Sequence, residues 1–356
     1  MATEDPALDV LLLPFAQTAL DWPARGGALF LHARDGWPLH RQAWPELRCE
    51  TAFKPAFDAL QRSGLAVEAG DSTVAHDAAH YPLVLLLPPR QREQARALFA
   101  RAIAQLAPGG VVVACMANAE GARSGQADLA RLAGPLQSLS KHHCRVFWSA
   151  PLHGSIDPVL LADWAGADAP RPIADGRFLS RPGVFAWDRI DAASALLAAH
   201  LPRDLAGHGA DLGAGYGYLA AEVLARCHAV TGLDLYEADA RALALARANL
   251  AASASQAALA FHWHDVATGL ARKFDFIVSN PPFHAQGRAD RPELGRAFIT
   301  SAADALRPGG RLLLVANRHL PYESVLGAHF GSTRTLAQQA GFKVIEAIKA
   351  NGSKTP

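Results

Sequence analysis

Two blocks of this 356-residue chain repeat one order of elements. Residues 81–89 (YPLVLLLPP) align with residues 274–282 (FDFIVSNPP) at an offset of 193. Residues 97–110 (ALFARAIAQLAPGG) align with residues 297–310 (AFITSAADALRPGG) at an offset of 200. Each block reads as apolar strand, Pro-Pro, helix, Pro-Gly-Gly, apolar strand. One helix–Pro-Gly-Gly–strand connector is common in α/β chains. Two blocks in the same order at nearly the same offset point to a duplicated domain. A chain of this length has room for about two domains, each with its own core.

The second half alternates the two periodicities throughout. Helical spacing is expected over 191–201, 218–227, 238–252 and 292–306, and strands over 210–212, 229–235, 259–264, 274–279, 311–316 and 342–348. The run 274–279 is nearly all apolar, as a strand covered on both faces must be. Such alternation specifies a mostly parallel sheet with helices on both sides. The expected organisation is an N-terminal copy over 1–150, a linker over 151–180 and a second copy over 181–356. The linker reading rests on a Pro-, Gly- and Asp-rich stretch without sustained periodicity, packed through Trp164 and Phe178. The copies differ where chemistry would sit. Leu87 stands in place of Asn280, and the first half has no GxGxG loop, so the first copy is expected to be degenerate.

Composition excludes several classes. Half the residues are hydrophobic and the net charge is +1, too apolar and too neutral for a disordered chain. The longest aliphatic run, 83–87, is far below the roughly 20 residues that cross a bilayer. The acidic start MATEDP has no positive n-region, so no signal peptide is expected. Cys49, Cys115, Cys144 and Cys227 form no CxxC pair and the histidines no HExxH, so no metal is expected and a reducing cytoplasm is the default. Of the basic residues, 28 are Arg and 6 Lys. With so little net charge, any polyanion site must be a local patch; the Arg excess suits forked bonding to phosphate and equally suits a compositional bias.

The glycine-rich Asp211-Leu-Gly213-Ala-Gly215-Tyr-Gly217 follows a strand and opens a helix. Glycines there let a ligand lie against the main chain, facing a helix N-terminus. Tyr218 occupies the position where the dinucleotide fingerprint needs its last glycine, which disfavours a nicotinamide site. Asp234 is read as the acid closing the next strand, placed to accept from both hydroxyls of a ribose. Asp265, after the third strand, is placed to meet an adenine amino group, or else caps a turn. Together these residues predict a nucleoside-type cofactor.

Ser279-Asn280-Pro281-Pro282-Phe283-His284 follows the fourth strand, at the end of the sheet where ligands bind. Two prolines stiffen the backbone and leave carbonyls free of local donors. The Asn280 side-chain oxygen and a neighbouring carbonyl can accept both hydrogens of a planar amine, while Phe283 stacks the ring that carries it. His284 is a candidate substrate contact or a loop residue. Arg288, Arg291 and Arg296 are candidates for phosphate contact or a solvated face paired with Asp290 and Glu293. The motif fits any planar amine, so a ribosomal RNA guanine, a DNA adenine and a protein glutamine all remain open. So does a non-catalytic RNA-binding module.

At these residues the chain resembles class I S-adenosylmethionine-dependent methyltransferases. Asp211 to Gly217 is similar to their cofactor loop, Asp234 to their ribose acid, and Asn280 to Phe283 to the NPPF/Y motif of amino-group methylation. More narrowly it resembles the ribosomal RNA small subunit methyltransferase C family of guanine-N2 enzymes. Gly183-Val184-Phe185, Val315-Ala316-Asn317, Leu320-Pro321-Tyr322, Phe342-Lys343-Val344 and, in the first half, Gly121-Ala-Arg123-Ser124-Gly125 carry that likeness. It spans almost the whole chain and is dense from about residue 182 to 350. The resemblance implies tandem Rossmann-like methyltransferase domains with a non-catalytic first copy. It implies S-adenosylmethionine as cofactor and small-subunit ribosomal RNA as partner; a cytoplasmic location is the default from the cysteines, and a monomer is favoured with the oligomeric state left open. Ala214, where a cysteine is frequent in the family, and the scarcity of lysine are departures.

Overall fold

The computed structural model describes residues 5–70, 80–154, 156–255, 257–282 and 292–351. The chain divides into two compact units: residues 1–170 with 181–183, and residues 171–180 with 184–356.

The first unit is built on strands β1 (Ala28–Leu31), β2 (Leu47–Thr51), β3 (Ala66–Ala69), β4 (Tyr81–Leu86), β5 (Leu106–Ala117), β6 (Leu136–Lys141) and β7 (Cys144–Ser149). They form one sheet in the order β3-β2-β1-β4-β5-β7-β6. Pairing is parallel except where β7 meets β5 and β6. Leu8, Leu11 and Leu60 fill one face and Phe99, Leu129 and Trp164 the other.

The second unit opens with a hairpin of β8 (Arg171–Ile173) and β9 (Phe178–Ser180). Its sheet comprises β10 (Ala206–Leu212), β11 (Ala229–Glu237), β12 (Ala258–Trp263), β13 (Phe274–Ser279), β14 (Leu306–Asn317), β15 (Ser332–Gln339) and β16 (Phe342–Ile348). The order is β12-β11-β10-β13-β14-β16-β15. Counted from its own first strand, this is the order of the first sheet. The repeat thus reflects two copies of one topology, with β5 and β14 starting 200 residues apart. Helices Ala192–Ala199, Tyr218–Arg226 and Ala240–Asn249 supply one face through Leu197, Val223 and Ala246. Helices Pro292–Ala305 and Glu323–His329 supply the other through Phe298, Ile299 and Leu326.

Residues 151–180, read from sequence as a linker, carry regular structure. Pro158–Ala165 is a helix with proline in its first turn and the Asp157 carboxylate accepting from the amides of Val159 and Leu160. It buries Trp164, over which the guanidinium groups of Arg96 and Arg131 lie at 4.9 and 5.3 Å from the ring centroid. The hairpin places Phe178 against Tyr216 and Tyr218, 5.7 Å between centroids in each pair. Strand β15 also escapes the sequence reading. It is a mostly exposed edge strand, STRTLAQQ, ordered by antiparallel pairing with β16.

Gly209 shows how tightly the central strands approach. It sits in register with Phe276 of β13, and a Cβ built on it would lie 2.1 Å from the phenylalanine Cζ. Phe276 is fully buried, so its ring has nowhere to retreat. Gly209→Ala is expected to cost about 1–3 kcal/mol by overpacking. A denaturant titration of the full chain would read this as a lower midpoint; an unchanged midpoint would show that the ring can move aside.

Candidate functional site

Strands β10 and β13 are central neighbours, and the chain leaves them on opposite sides of the sheet. That makes the carboxyl edge between them the crevice where an open α/β sheet binds ligands. The register pairs Leu212 with Ser279 at this edge. The Ser279 hydroxyl donates to the Leu212 carbonyl at 2.7 Å. The next residues, Gly213 and Asn280, begin the two loops singled out in the sequence. A Cβ on Gly213 would lie 3.8 Å from the Asn280 carbonyl oxygen, so the loops face one another across the crevice.

The three loop glycines have φ of 74°, 55° and 90° at Gly213, Gly215 and Gly217, a region that side chains disfavour. Their surroundings differ. A Cβ on Gly215 would meet nothing within 4 Å, so the main chain there borders open space. A Cβ on Gly217 would sit 3.3 Å from Ala246, so that glycine lets two helices pack. The amides of Gly213 and Ala214 donate to the Tyr236 carbonyl at 2.9 and 3.1 Å, tying the loop to the end of β11.

Four acids were candidates or neighbours of this loop, and the fold separates them. Asp211 is fully buried in β10. One carboxylate oxygen accepts from the Ala220 amide at 3.1 Å, and the other has no partner. Burial, opposed by the Ala220 amide and reinforced by Glu237, pushes its pKa up to about 7. Asp234 does not close its strand. β11 continues through Glu237, because Tyr236 still pairs with Leu212 and Glu237 with Trp263. At about 3.3 Å per residue, Asp234 lies roughly 10 Å short of the edge. Its carboxylate is engaged with His208 Nε2 at 2.7 Å, His262 Nε2 at 3.2 Å and Arg272 Nη1 at 3.1 Å. The expectation that Asp234 meets a ribose is therefore corrected: it is a buried ion-pair centre within the sheet.

Glu237, which the sequence reading passed over, stands at the strand end. Its two oxygens accept from the amides of Gly215 and Asp239, each at 2.8 Å. Burial raises its pKa to about 7 against those two amide bonds. A usable signal was present. Asp239 caps the helix Ala240–Asn249, and a strand feeding that cap ends nearer 237 than 234. Asp265 follows β12 and is half-buried; one of its oxygens accepts from the Ala267 amide at 3.0 Å, so the turn-capping role is present.

Asn280 is held by partners that are remote in sequence. Its amide nitrogen donates to Asp191 Oδ2 at 3.0 Å and to Ser194 Oγ at 2.8 Å. The Asp191 carboxylate also accepts from the Ser194 amide at 2.8 Å, capping the helix Ala192–Ala199. The Asn280 side-chain oxygen is buried and has no partner. Pro281 is buried and Pro282 exposed. Arg296 lies half-buried in the helix Pro292–Ala305. Phe283, His284, Arg288 and Arg291 lie outside the described residues. Among the described residues, no group of three or more His, Cys, Asp or Glu could hold a metal ion, and no helix is long and apolar enough to cross a membrane.

The corresponding edge of the first unit is filled. There the register pairs Leu31 with Leu86, so His32 and Leu87 hold the places of Gly213 and Asn280. The His32 ring Nδ1 bonds the Leu87 carbonyl at 2.9 Å, and the Leu87 side chain is buried. An imidazole thus stands where Gly213 has no side chain, and an isobutyl group where Asn280 has an unpartnered amide oxygen.

Residues 175–346 match the family model of the methyltransferase small domain. The chain is 32% identical over 353 residues to a ribosomal RNA small subunit methyltransferase C of Pseudomonas aeruginosa, covering 97% of this chain and 100% of that one. To the protein of the same name from Pseudomonas paraeruginosa it is 36% identical over 261 residues, 73% of this chain and 76% of the other. Among solved structures it is similar to the T. thermophilus 16S rRNA N2 G1207 methyltransferase in complex with AdoMet and guanosine. That likeness has a TM-score of 0.76 at 27% identity, over 97% of this chain and 92% of that one.

Proposed function

Because this chain belongs to the ribosomal RNA small subunit methyltransferase C family, we propose that it transfers a methyl group from S-adenosylmethionine to the exocyclic N2 of one guanine in 16S ribosomal RNA, in the crevice of its second unit. The observation that carries this reading is the buried, unpartnered oxygen of Asn280 beside the open glycine loop. An acceptor held dry and unpaired is costly unless a ligand brings it a donor. An aromatic amine brings two.

The residues fit the cofactor. Asp211 offers a second buried oxygen without a partner, and Gly215 borders open space. Two carboxyls with pKa raised to about 7, the charge of one bearing on the other, favour a ligand that carries positive charge. In this assignment Asp211 and the loop from Gly213 to Gly217 hold the methionine end. Glu237 takes the ribose hydroxyls and Asp265 the adenine amino group. When bound, S-adenosylmethionine supplies a methyl carbon made electrophilic by its sulfonium.

The chain's own part is orientation. Asn280 Oδ1 and the Pro281 carbonyl accept the two amine hydrogens, which turns the nitrogen lone pair out of ring conjugation. Phe283 stacks the guanine, and Arg288, Arg291 and Arg296 meet phosphates. His284 borders the substrate. The nitrogen sheds a proton to water as its new bond forms, so the step asks for neither a metal nor a strong base. A guanine inside a helix must first be turned out of its stack. The reading takes a cytoplasmic monomer acting on rRNA within the small ribosomal subunit.

The test is transfer of labelled methyl from S-adenosylmethionine to four acceptors: 16S rRNA, small subunits, 23S rRNA and DNA. Nucleoside digestion is expected to place the label in N2-methylguanosine from the small-subunit RNA. Label confined to adenine of DNA, or to 23S rRNA, would overturn the assignment.

A further inference from the structure

We infer that Asp191 and Ser194 are positioning residues that decide which end of the Asn280 amide faces the acceptor, an inference that rests on the methyl-transfer reading above. An asparagine amide has an accepting and a donating end of nearly the same shape, and an amine bound in the crevice is served only by the accepting one. Turned over, Asn280 would oppose N–H to N–H.

The geometry prevents that rotation. Asp191 Oδ2 acts as an acceptor, already taking the Ser194 amide, so at 3.0 Å it draws the nitrogen end of Asn280 towards it. Ser194 Oγ, at 2.8 Å, takes the nitrogen's second hydrogen. Both donors are thereby used inside the protein, and the only unsatisfied atom of the amide is the oxygen. Asp191 is itself fixed, because the same Oδ2 accepts from the Ser194 amide at the start of the helix. The pair lies 89 and 86 residues before Asn280, on the helix preceding β10. A rigid helix end thus sets the orientation of a loop side chain. Its action on the amine is proposed to run through Asn280 alone.

The experiment uses the full chain labelled with 15N-asparagine, of which it has five. The Asn280 side-chain signal is assigned by its loss in Asn280→Ala. In the parent its amide hydrogens are expected to exchange slowly. In Asp191→Gly/Ser194→Ala they are expected to exchange as fast as those of an exposed asparagine. Glycine is a tolerated helix cap, so the helix and the thermal midpoint are kept. With the amide free to turn, kcat is expected to fall about 10- to 30-fold, as misoriented groups do, while KM for RNA and Kd for S-adenosylmethionine change less than about twofold. Asp191→Asn keeps both the cap and an accepting oxygen, and is expected to retain kcat within about threefold.

An amide that stays protected in the double variant would overturn the inference. So would an unchanged kcat in the double variant, or an Asp191→Asn chain as slow as that double variant, since charge rather than orientation would then matter. The exchange measurement needs no acceptor. A parent with a protected amide but no methylation of rRNA would therefore refute the functional reading and leave the orientation standing.

Discussion

Asn280→Ala is expected to lower single-turnover methyl transfer to 16S rRNA by about 10²–10³-fold or more, the loss seen when a preorganised hydrogen-bonding group is removed from a reacting centre. Affinity for S-adenosylmethionine is expected to stay within about twofold, because the residues assigned to the cofactor lie on β10, β11, the glycine loop and the turn after β12. The folded chain should tolerate the change. The substitution deletes a buried oxygen that has no partner, and it leaves Asp191 and Ser194 one donor short. These effects oppose one another, so the unfolding midpoint should move little. Calorimetry with the cofactor and rapid-quench transfer with labelled methyl check the two halves of the statement. Full turnover by the variant would remove the amide oxygen from the reaction.

Local patterns made much of this legible beforehand. The apolar run of β13 and the Pro-Gly-Gly entry to β14 are signals carried by neighbouring residues, and so are the glycine loop and the Asn-Pro-Pro segment. They placed the glycine loop and the Asn-Pro-Pro segment at one edge of the sheet, where the register of β10 and β13 brings them together. Where the reading failed, the deciding contact was remote. Asp234 and Glu237 both lie in one short stretch, Asp-Leu-Tyr-Glu, and either could have ended the strand. Only the register with β10 and β12 carries β11 to Glu237. Asp234 then falls beside His208, His262 and Arg272, from three other segments of the chain. Asp191 was legible as a helix start, but nothing within 80 residues of it hints at Asn280. Strand β15 is polar because it is an outer edge, and polarity hid it. The hairpin before the second sheet looked like a linker because its order comes from Phe178 packing on two tyrosines about 40 residues on.

Asp211→Asn is expected to weaken S-adenosylmethionine binding about 30- to 100-fold while raising the thermal midpoint of the free chain above pH 7. The sign follows from proton linkage. The folded-state pKa of Asp211 is raised from 3.8 to about 7, so between those values the folded chain holds a proton that the unfolded chain has lost. Stability contributed by this group therefore falls as pH rises from about 4 to about 7, and stays lost above. Each unit of separation corresponds to about 1.4 kcal/mol, so the ionised, buried carboxylate costs the free chain a few kcal/mol at pH 8. Glu237, raised from 4.5 to about 7, adds a loss of the same sign. An amide at 211 does not ionise, and the cost at that position disappears. The same charge should favour a cationic ligand. Affinity for S-adenosylmethionine in the parent is then expected to increase from pH 6 to pH 8 as the two carboxyls lose their protons, with a flatter rise in Asp211→Asn. Calorimetric titrations at pH 6, 7 and 8, paired with melting curves at the same values, measure both trends. Parallel curves for parent and variant would mean that Asp211 is neutral in the folded chain throughout, and that the cofactor is held by other charges.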